Sequence, residues 1–270
     1  MKEIWNLVLF QPMTNGLIFF YGLLFNSLGL GIVAITILIR GALAPVMVPA
    51  MKSSGKMKKI SPELEKLKKK FKNQPKKLQK AQMDLYKKHG INPAAGCLPM
   101  IVQLIVLITL YQVLYQVLKA DGDMIAKLNE FLYSGLKFPE NAVIDTKFLY
   151  FDLTKPDTIT TSFFPFPLPG LVLVLATVVQ FFNSKMMAPA VEASKKIAKK
   201  TTDKKDDIAT SMQSQMMYLF PLMTLVIGYS FPSGLVVYWF IFSLASLIQQ
   251  YFISGWGGLG PWLKKLKLVR

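Results

Sequence analysis

Arg40 has the least ordinary surroundings in the chain. It follows Ile35-Thr36-Ile37-Leu38-Ile39 and precedes Gly41-Ala42-Leu43, so a permanent cation stands in an apolar run. About 15 Å inside a membrane-spanning helix, an arginine costs at least ~3 kcal/mol on insertion scales. A guanidinium so placed can attract an anion, but it supplies no nucleophile. Neutral polar residues recur at helical spacing in other apolar runs. Thr36 lies four residues before Arg40, Gln103 stands by itself, and Thr109, Gln112 and Gln116 form a stripe. Thr177, Gln180 and Ser184 form another, as do Trp239, Ser243, Ser246 and Gln250. Depth arithmetic puts Arg40, Gln103, Gln180, Ser243 and Ser246 all roughly 10–15 Å from one membrane surface. Two plainer readings stand beside this one. Arg40 snorkels to a nearby headgroup layer, or the Ser, Thr and Gln side chains only join helices to one another. No Asp or Glu occurs in these runs to pair with Arg40. The expectation is therefore a water-filled cavity with a positive centre and no fixed negative one.

Covalent chemistry finds little support. His89 and Cys97 are the only residues of their kinds, so no metal cluster and no Cys/His or Ser/His pair at membrane depth is expected. Cys97 reads as a small buried apolar residue, and His89 as a solvated helix-terminal one. Intramembrane proteolysis would need acids or a His at depth, and the apolar runs lack Asp and Glu. No G-x-x-x-x-G-K-[ST] run points to ATP use. Neither an enzymatic activity nor a cofactor is expected.

The elements that must position these residues follow from how charge is distributed. The 270 residues carry 32 Lys+Arg against 15 Asp+Glu, a net charge of +17, yet 52% are hydrophobic and mean hydropathy is +0.37. Charge and apolar residues occupy separate segments. No charged residue falls between Glu3 and Arg40, Lys88 and Lys119, Asp157 and Lys185, or Asp207 and Lys264. A spanning helix needs about 20 apolar residues. Phe231-Pro232-Ser233-Gly234 divides the last stretch, and Asn26, Ser27, Gly29 and Gly31 divide the first. Five spans are expected, near 28–48, 96–118, 167–187, 213–231 and 234–253. The fold class is all-α: a polytopic five-transmembrane-helix bundle with a polar groove open to the cytoplasm, plus a cytoplasmic helical hairpin.

The expected organisation is an interfacial helix within 1–27, a first span to residue 50, a basic hairpin over 51–92, a second span over 93–118 and an extracytoplasmic loop over 119–166. A third span over 167–187 and a cytoplasmic loop over 188–212 follow. The fourth and fifth spans pair over 213–253, and a basic tail covers 254–270. Residues 51–92 hold fourteen Lys against three acids, and 254–270 hold four cations and no acid. Residues 119–166 hold five Lys against seven acids. Basic loops mark the cytoplasmic side, so the N-terminus is expected outside and the C-terminus inside a plasma membrane. Lys2-Glu3 and the long apolar run that follows do not resemble a secretory signal peptide. In the hairpin, Ser61 reads as an N-cap before Pro62 and Glu63. Leu64, Leu67 and Phe71 then face Leu78, Ala81 or Gln82, and Leu85. The lysine-rich exterior suits solvent, anionic lipid headgroups or RNA. Met212, Met216, Met217 and Met223 suit plain packing or an adaptable surface.

Several short motifs together resemble the bacterial YidC-type membrane protein insertases. They are Gly90-Ile91-Asn92-Pro93, Gly96-Cys97-Leu98-Pro99 with Gln103, Phe231-Pro232-Ser233-Gly234-Leu235, Tyr238-Trp239 and Gln249-Gln250. Ile35 to Arg40 resembles that family's first core span, and Lys56-Met57 with Ser61-Pro62-Glu63-Leu64 resembles the start of its cytoplasmic hairpin. The likeness runs from about residue 12 to 253. It implies five core helices around a groove that opens to the cytoplasm and to lipid. Arg40, Thr36 and Gln180 take the places of the family's groove residues, and Tyr238 and Trp239 those of its aromatic pair. The large extracytoplasmic domain of relatives from two-membrane bacteria is not seen, nor is a lipoprotein signal. The implied function is insertion and folding of hydrophobic segments of nascent proteins without ATP. Implied partners are those nascent chains, anionic lipids, the ribosome through the basic tail and the Sec translocon. The competing reading is a small transporter or anion channel that binds its solute at Arg40. Such proteins usually carry internal repeats, and none is visible.

Overall fold

The protein is described by a computed structural model covering residues 2–71, 74–91, 98–118, 123–187 and 218–266. It is mostly helical. Helix α1 (Lys2–Trp5) passes through one π turn (Asn6–Phe10) into α2 (Gln11–Leu23). Phe25 and Asn26 adopt left-handed φ values of 58° and 52° and turn the chain. Ser27 Oγ then accepts the Leu30 N–H at the start of α3 (Leu28–Lys59). The polar pair Asn26-Ser27 thus ends one helix and begins the next.

With 32 residues, α3 is about 48 Å long, well beyond a ~30 Å hydrocarbon layer. Its apolar part is Leu28–Pro49, and the helix runs on to Lys59, past the expected boundary at 50. Pro45 and Pro49 lie inside it. Each lacks an N–H, which releases the carbonyls of Gly41 and Pro45 from the helical ladder. The hairpin helices α4 (Ser61–Lys70) and α5 (Pro75–Lys88) follow, then α6 (Leu98–Leu118) and α7 (Asp123–Phe131). Two short antiparallel hairpins come next, β1–β2 (Lys147–Phe148 with Phe151–Asp152) and β3–β4 (Thr158–Ile159 with Leu168–Pro169). The chain is thus mostly helical as expected, with four two-residue strands in and just beyond the 119–166 region as an addition to the all-α expectation. Their turn signals, Leu149-Tyr150 and a Pro-rich run, were too short to read as strands. Helices α8 (Leu171–Met187), α9 (Tyr218–Gly228), α10 (Ser233–Ser254) and α11 (Gly260–Lys265) complete the chain.

By length and apolar composition, Leu28–Pro49 and Ser233–Ile253 are long enough to cross a bilayer. Ile101–Val117, Leu171–Met186 and Tyr218–Gly228 are shorter apolar helices. Cys97, Met212, Met216, Met217, the 188–212 segment and the last residues of the tail lie outside the described residues.

Two compact units are distinguishable, the first made of Met1–Ala42, Ile101–Thr177 and Met223–Ala245, the second of Leu43–Met100, Val178–Leu222 and Ser246–Arg270. In the first, α2 buries Met13, Leu17, Ile18 and Tyr21, spaced as one helical face. It approaches α3 closely at Gly31, where a Cβ would lie 3.3 Å from Leu17 O and Tyr21 N. Asn15, 3% exposed, donates to Phe131 O and accepts the Tyr133 N–H (2.8 and 2.7 Å). Asn129 joins the Phe138 backbone in the same reciprocal way (2.8 and 2.9 Å). The first amide ties α2 to the end of α7 and the chain just beyond it, and the second ties α7 to that same chain.

In the second unit, the hairpin core is Ile60, Leu85 and Ile91 with Leu64, Leu67 and Tyr86 against them. This bears out the Leu64–Leu67–Leu85 seam and adds Ile60 and Ile91. The first helix of the hairpin begins one residue earlier than expected, with Ser61 as its first helical residue. The cap position is Ile60, whose carbonyl accepts the Leu64 N–H, because the chain stays helical there as it leaves α3. Helix α5 ends in a Schellman motif: Gly90 at φ 59°, Gly90 N–H to Lys87 O and Ile91 N–H to Tyr86 O. His89 lies at that terminus and pairs with Glu63 at 3.4 Å.

Candidate functional site

Arg40 lies twelve residues into α3, about 18 Å along its axis, and is 6% exposed. Its Cζ sits 4.6 Å from the centroid of the Phe242 ring on α10. Nε and Nη2 are buried and make no hydrogen bond with any described residue. Phe242 packs on Tyr238 one turn earlier (centroids 5.7 Å apart). The Tyr238 hydroxyl accepts a hydrogen bond from Gln103 Nε2 of α6 at 3.1 Å. Tyr238 is wholly buried. The Gln103 carbonyl is enclosed and has no hydrogen-bond partner among the described residues. Three helices of the first unit thus bring together Arg40, Phe242, Tyr238 and Gln103. The constellation holds one cation, one aromatic face and one open amide acceptor. It can attract and hydrogen-bond an anionic or carbonyl-bearing chain, and it offers no covalent chemistry.

The other predicted residues fall as follows. Thr36 is buried and donates to Ile32 O in its own helix, so its hydroxyl is already used. Ser243 is buried one residue beyond Phe242. Trp239 stacks on Phe231 (6.4 Å, 13°), which stacks in turn on Tyr111 (5.6 Å, 30°). Gln180 and Ser246 belong to the second unit, where Asn183 Nδ2 donates to Ser246 Oγ at 3.1 Å. A cleft of about 810 Å³ lies elsewhere, beside Trp5, Phe10, Tyr111 and Gln116. None of the predicted groove residues lines it.

Phe242 escaped the sequence reading because an apolar residue in an apolar helix carries no signal. Its one legible mark was its place four residues after Tyr238, on the same helical face. Asp157 escaped too. It is a loop acid by sequence, yet it is 1% exposed. It accepts the Tyr150 hydroxyl (2.8 Å) and the Leu173 N–H (2.8 Å) at the N-terminus of α8. Burial pushes the Tyr150 phenol above its usual range; the Val172 N–H opposes this, and the bond to Asp157 adds to it. A Cβ at Gly170 would overlap the Asp157 carboxylate, so the glycine is what admits it. This loop also secures the turn before α10. Ser233 N–H donates to Lys155 O (2.7 Å), Gly234 N–H to Leu153 O (3.1 Å), and Ser233 Oγ to Asp152 O (2.8 Å). The start of the helix that carries Tyr238 and Phe242 is therefore fixed by backbone bonds.

Residues 19–257 match the family described as 60Kd inner membrane protein. The membrane protein insertase YidC of Fusobacterium nucleatum is 35% identical over 228 residues, 84% of this chain and 86% of that one. The corresponding protein of Alkalihalophilus pseudofirmus is 33% identical, with 93% of this chain and 82% of the relative covered. Membrane protein insertase MisCA of Bacillus subtilis is 28% identical, with 94% and 80% covered. Among solved structures, the active YidC insertase with its first transmembrane domain resolved is similar at a TM-score of 0.53 and 25% identity. That match covers 90% of this chain and 46% of the solved one, so the chain spans about half of that protein's length. On the family match alone, which takes in the Arg40 constellation and the basic hairpin together, the chain belongs to the 60Kd inner membrane protein family.

Proposed function

We propose that the protein is a membrane protein insertase. It lowers the barrier for a nascent hydrophobic segment to enter the bilayer while a short polar tail crosses. The observation that carries this reading is the buried Arg40, with no acid partner and two guanidinium nitrogens unbonded among the described residues, in a chain whose relatives are named insertases. Exposing a polar tail to hydrocarbon is the barrier, since each unsatisfied polar group costs several kcal/mol there. A wet groove reaching Arg40 from the cytoplasmic side shortens the dry path. The guanidinium draws in an acidic tail, and the Gln103 carbonyl receives its N–H groups. The membrane potential contributes about 2.3 kcal/mol per charge per 100 mV.

In this reading α3, α6, α8, α9 and α10 are the five spans around the groove, with the N-terminus outside and the C-terminus in the cytoplasm. Thr36, Trp239 and Ser243, which belong to the same unit as Arg40, complete its wall. Exposed apolar side chains on α6 support the spans. Among the described residues, Ile101, Leu104, Ile105 and Ile108 form an exposed apolar helical stripe, as lipid-facing residues do. The hairpin and the basic tail meet anionic lipid and the ribosome, and the Sec translocon is a further partner.

The test is insertion of small single-span proteins into vesicles that contain the purified protein. Arg40→Ala is expected to cut insertion of acidic-tailed substrates by about tenfold or more, since a charge-assisted hydrogen bond is worth about 1.5–3 kcal/mol. Wild-type insertion of those substrates by Arg40→Ala would defeat the reading. A flux of small anions through the same vesicles, with no insertion, would return the channel reading.

A further inference from the structure

A buried cation with no acid beside it among the described residues needs something to hold it. Among those residues the structure shows a neighbour suited to that task. The face of Phe242 lies 4.6 Å from the Arg40 guanidinium carbon, inside the ~6 Å range of a cation–π contact. Phe242 is itself 9% exposed, so its ring face is given over to the guanidinium and not to bulk solvent.

We infer that Phe242 is a positioning residue: its ring seats the Arg40 guanidinium at depth and leaves the cation's charge and its Nε and Nη2 donors available to a polar tail. A carboxylate in that place would neutralise the charge and occupy the donors. A ring does neither, because it attracts the cation through its quadrupole and accepts no strong hydrogen bond. Tyr238 and Gln103 brace the seat. The Tyr238 ring packs on Phe242 at 5.7 Å, and the Gln103 amide holds the Tyr238 hydroxyl at 3.1 Å. Phe242 is thus fixed from α6 through α10, and Arg40 is fixed upon it from α3. This inference rests on the insertase reading and adds to it a reason why the cation stays at depth.

The experiment compares Phe242→Leu, Phe242→Met, Phe242→Tyr and Phe242→Trp with Arg40→Ala in vesicles, using matched substrates with acidic and neutral tails. The readout is the ratio of acidic-tail to neutral-tail insertion, which general loosening of the fold would not move. Leu and Met keep an apolar side chain without the π face, and their ratio is expected to fall about tenfold. Tyr and Trp keep the face and are expected to restore it. A second readout is chemical. The chain has two arginines, Arg40 and Arg270, so in an Arg270→Lys background phenylglyoxal modification reports Arg40 alone. It is expected to speed up several-fold in Phe242→Leu and Phe242→Met but not in Phe242→Tyr. If Arg40→Ala keeps the wild-type ratio, the insertase role of Arg40 fails. If Arg40→Ala loses the ratio while the Leu and Met variants keep it and the labelling rate, only the seat fails. Equal losses in the Tyr and Leu variants would likewise overturn the seat.

Discussion

Asp157 and Arg40 are opposite solutions to burying a charge. Asp157 is surrounded by donors, the Tyr150 hydroxyl and the Leu173 N–H, at the positive end of a helix. Arg40 has a ring and two unused donors. The first arrangement satisfies the charge and the second keeps it available, which fits a structural role for Asp157 and a binding role for Arg40. Asp157→Ala should therefore destabilise without changing tail selectivity. It strands the Leu173 N–H and the Tyr150 hydroxyl, at about 1–3 kcal/mol for a buried group left unpaired. Thermal unfolding in detergent should show a lowered midpoint, with a smaller drop for Asp157→Asn, whose amide oxygen still accepts one bond. An unchanged midpoint in Asp157→Ala would show that solvent replaces the carboxylate.

At the scale of elements, the loop from 143 to 170 is the part least like its sequence expectation. Its two hairpins turn outward a set of apolar side chains. Phe163 is 90% exposed, and Leu149, Phe164 and Phe166 are exposed as well. The three phenylalanines lie in a cluster with neighbouring rings 6.5 and 5.9 Å apart. No charge falls between Asp157 and Lys185, and the apolar helix α8 follows at once. An aromatic cluster there suits a membrane headgroup boundary. Phe163→Trp is expected to be quenched by lipids brominated near the headgroup more than by lipids brominated at the chain ends. Emission typical of water, with no quenching, would place the cluster in solution. The C-terminal element also differs from a plain tail. Gly255 and Gly257 adopt φ values of 63° and 50°, Gly257 packs on the Met186 carbonyl, and Lys185 lies over Trp262 at 5.2 Å. The 254–266 segment is thus folded against the end of α8.

For the molecule as a whole, the segregation of charge carries the functional argument. Among the described residues the apolar helices bury one cation, Arg40, while the excess lysines concentrate over 51–92 and beyond α10. In the proposed topology, anionic lipid headgroups or ribosomal RNA would be the partners of those segments. Removing residues 264–270 subtracts four cations and is expected to weaken ribosome co-sedimentation more than insertion of a released substrate. The effect should fade as salt rises, because exposed charges are screened within about 10 Å at 0.1 M. Unchanged co-sedimentation at low salt would remove the tail from the ribosome contact.

From the sequence alone came what depends on local chemistry: the apolar helices, the hairpin seam of Leu64, Leu67 and Leu85, the break at Asn26-Ser27 and the oddity of Arg40. Periodicity and charge are properties of neighbours along the chain, so they are readable there. The tertiary structure decided which side chains meet across long separations. Phe242 lies 202 positions from Arg40, and Gln103 lies 135 from Tyr238. It also decided that Asn15 and Asp157 are buried, and that Ile60 rather than Ser61 is the cap position of the hairpin's first helix. A phenylalanine under a guanidinium has the same local pattern as one facing lipid, and only packing distinguishes them.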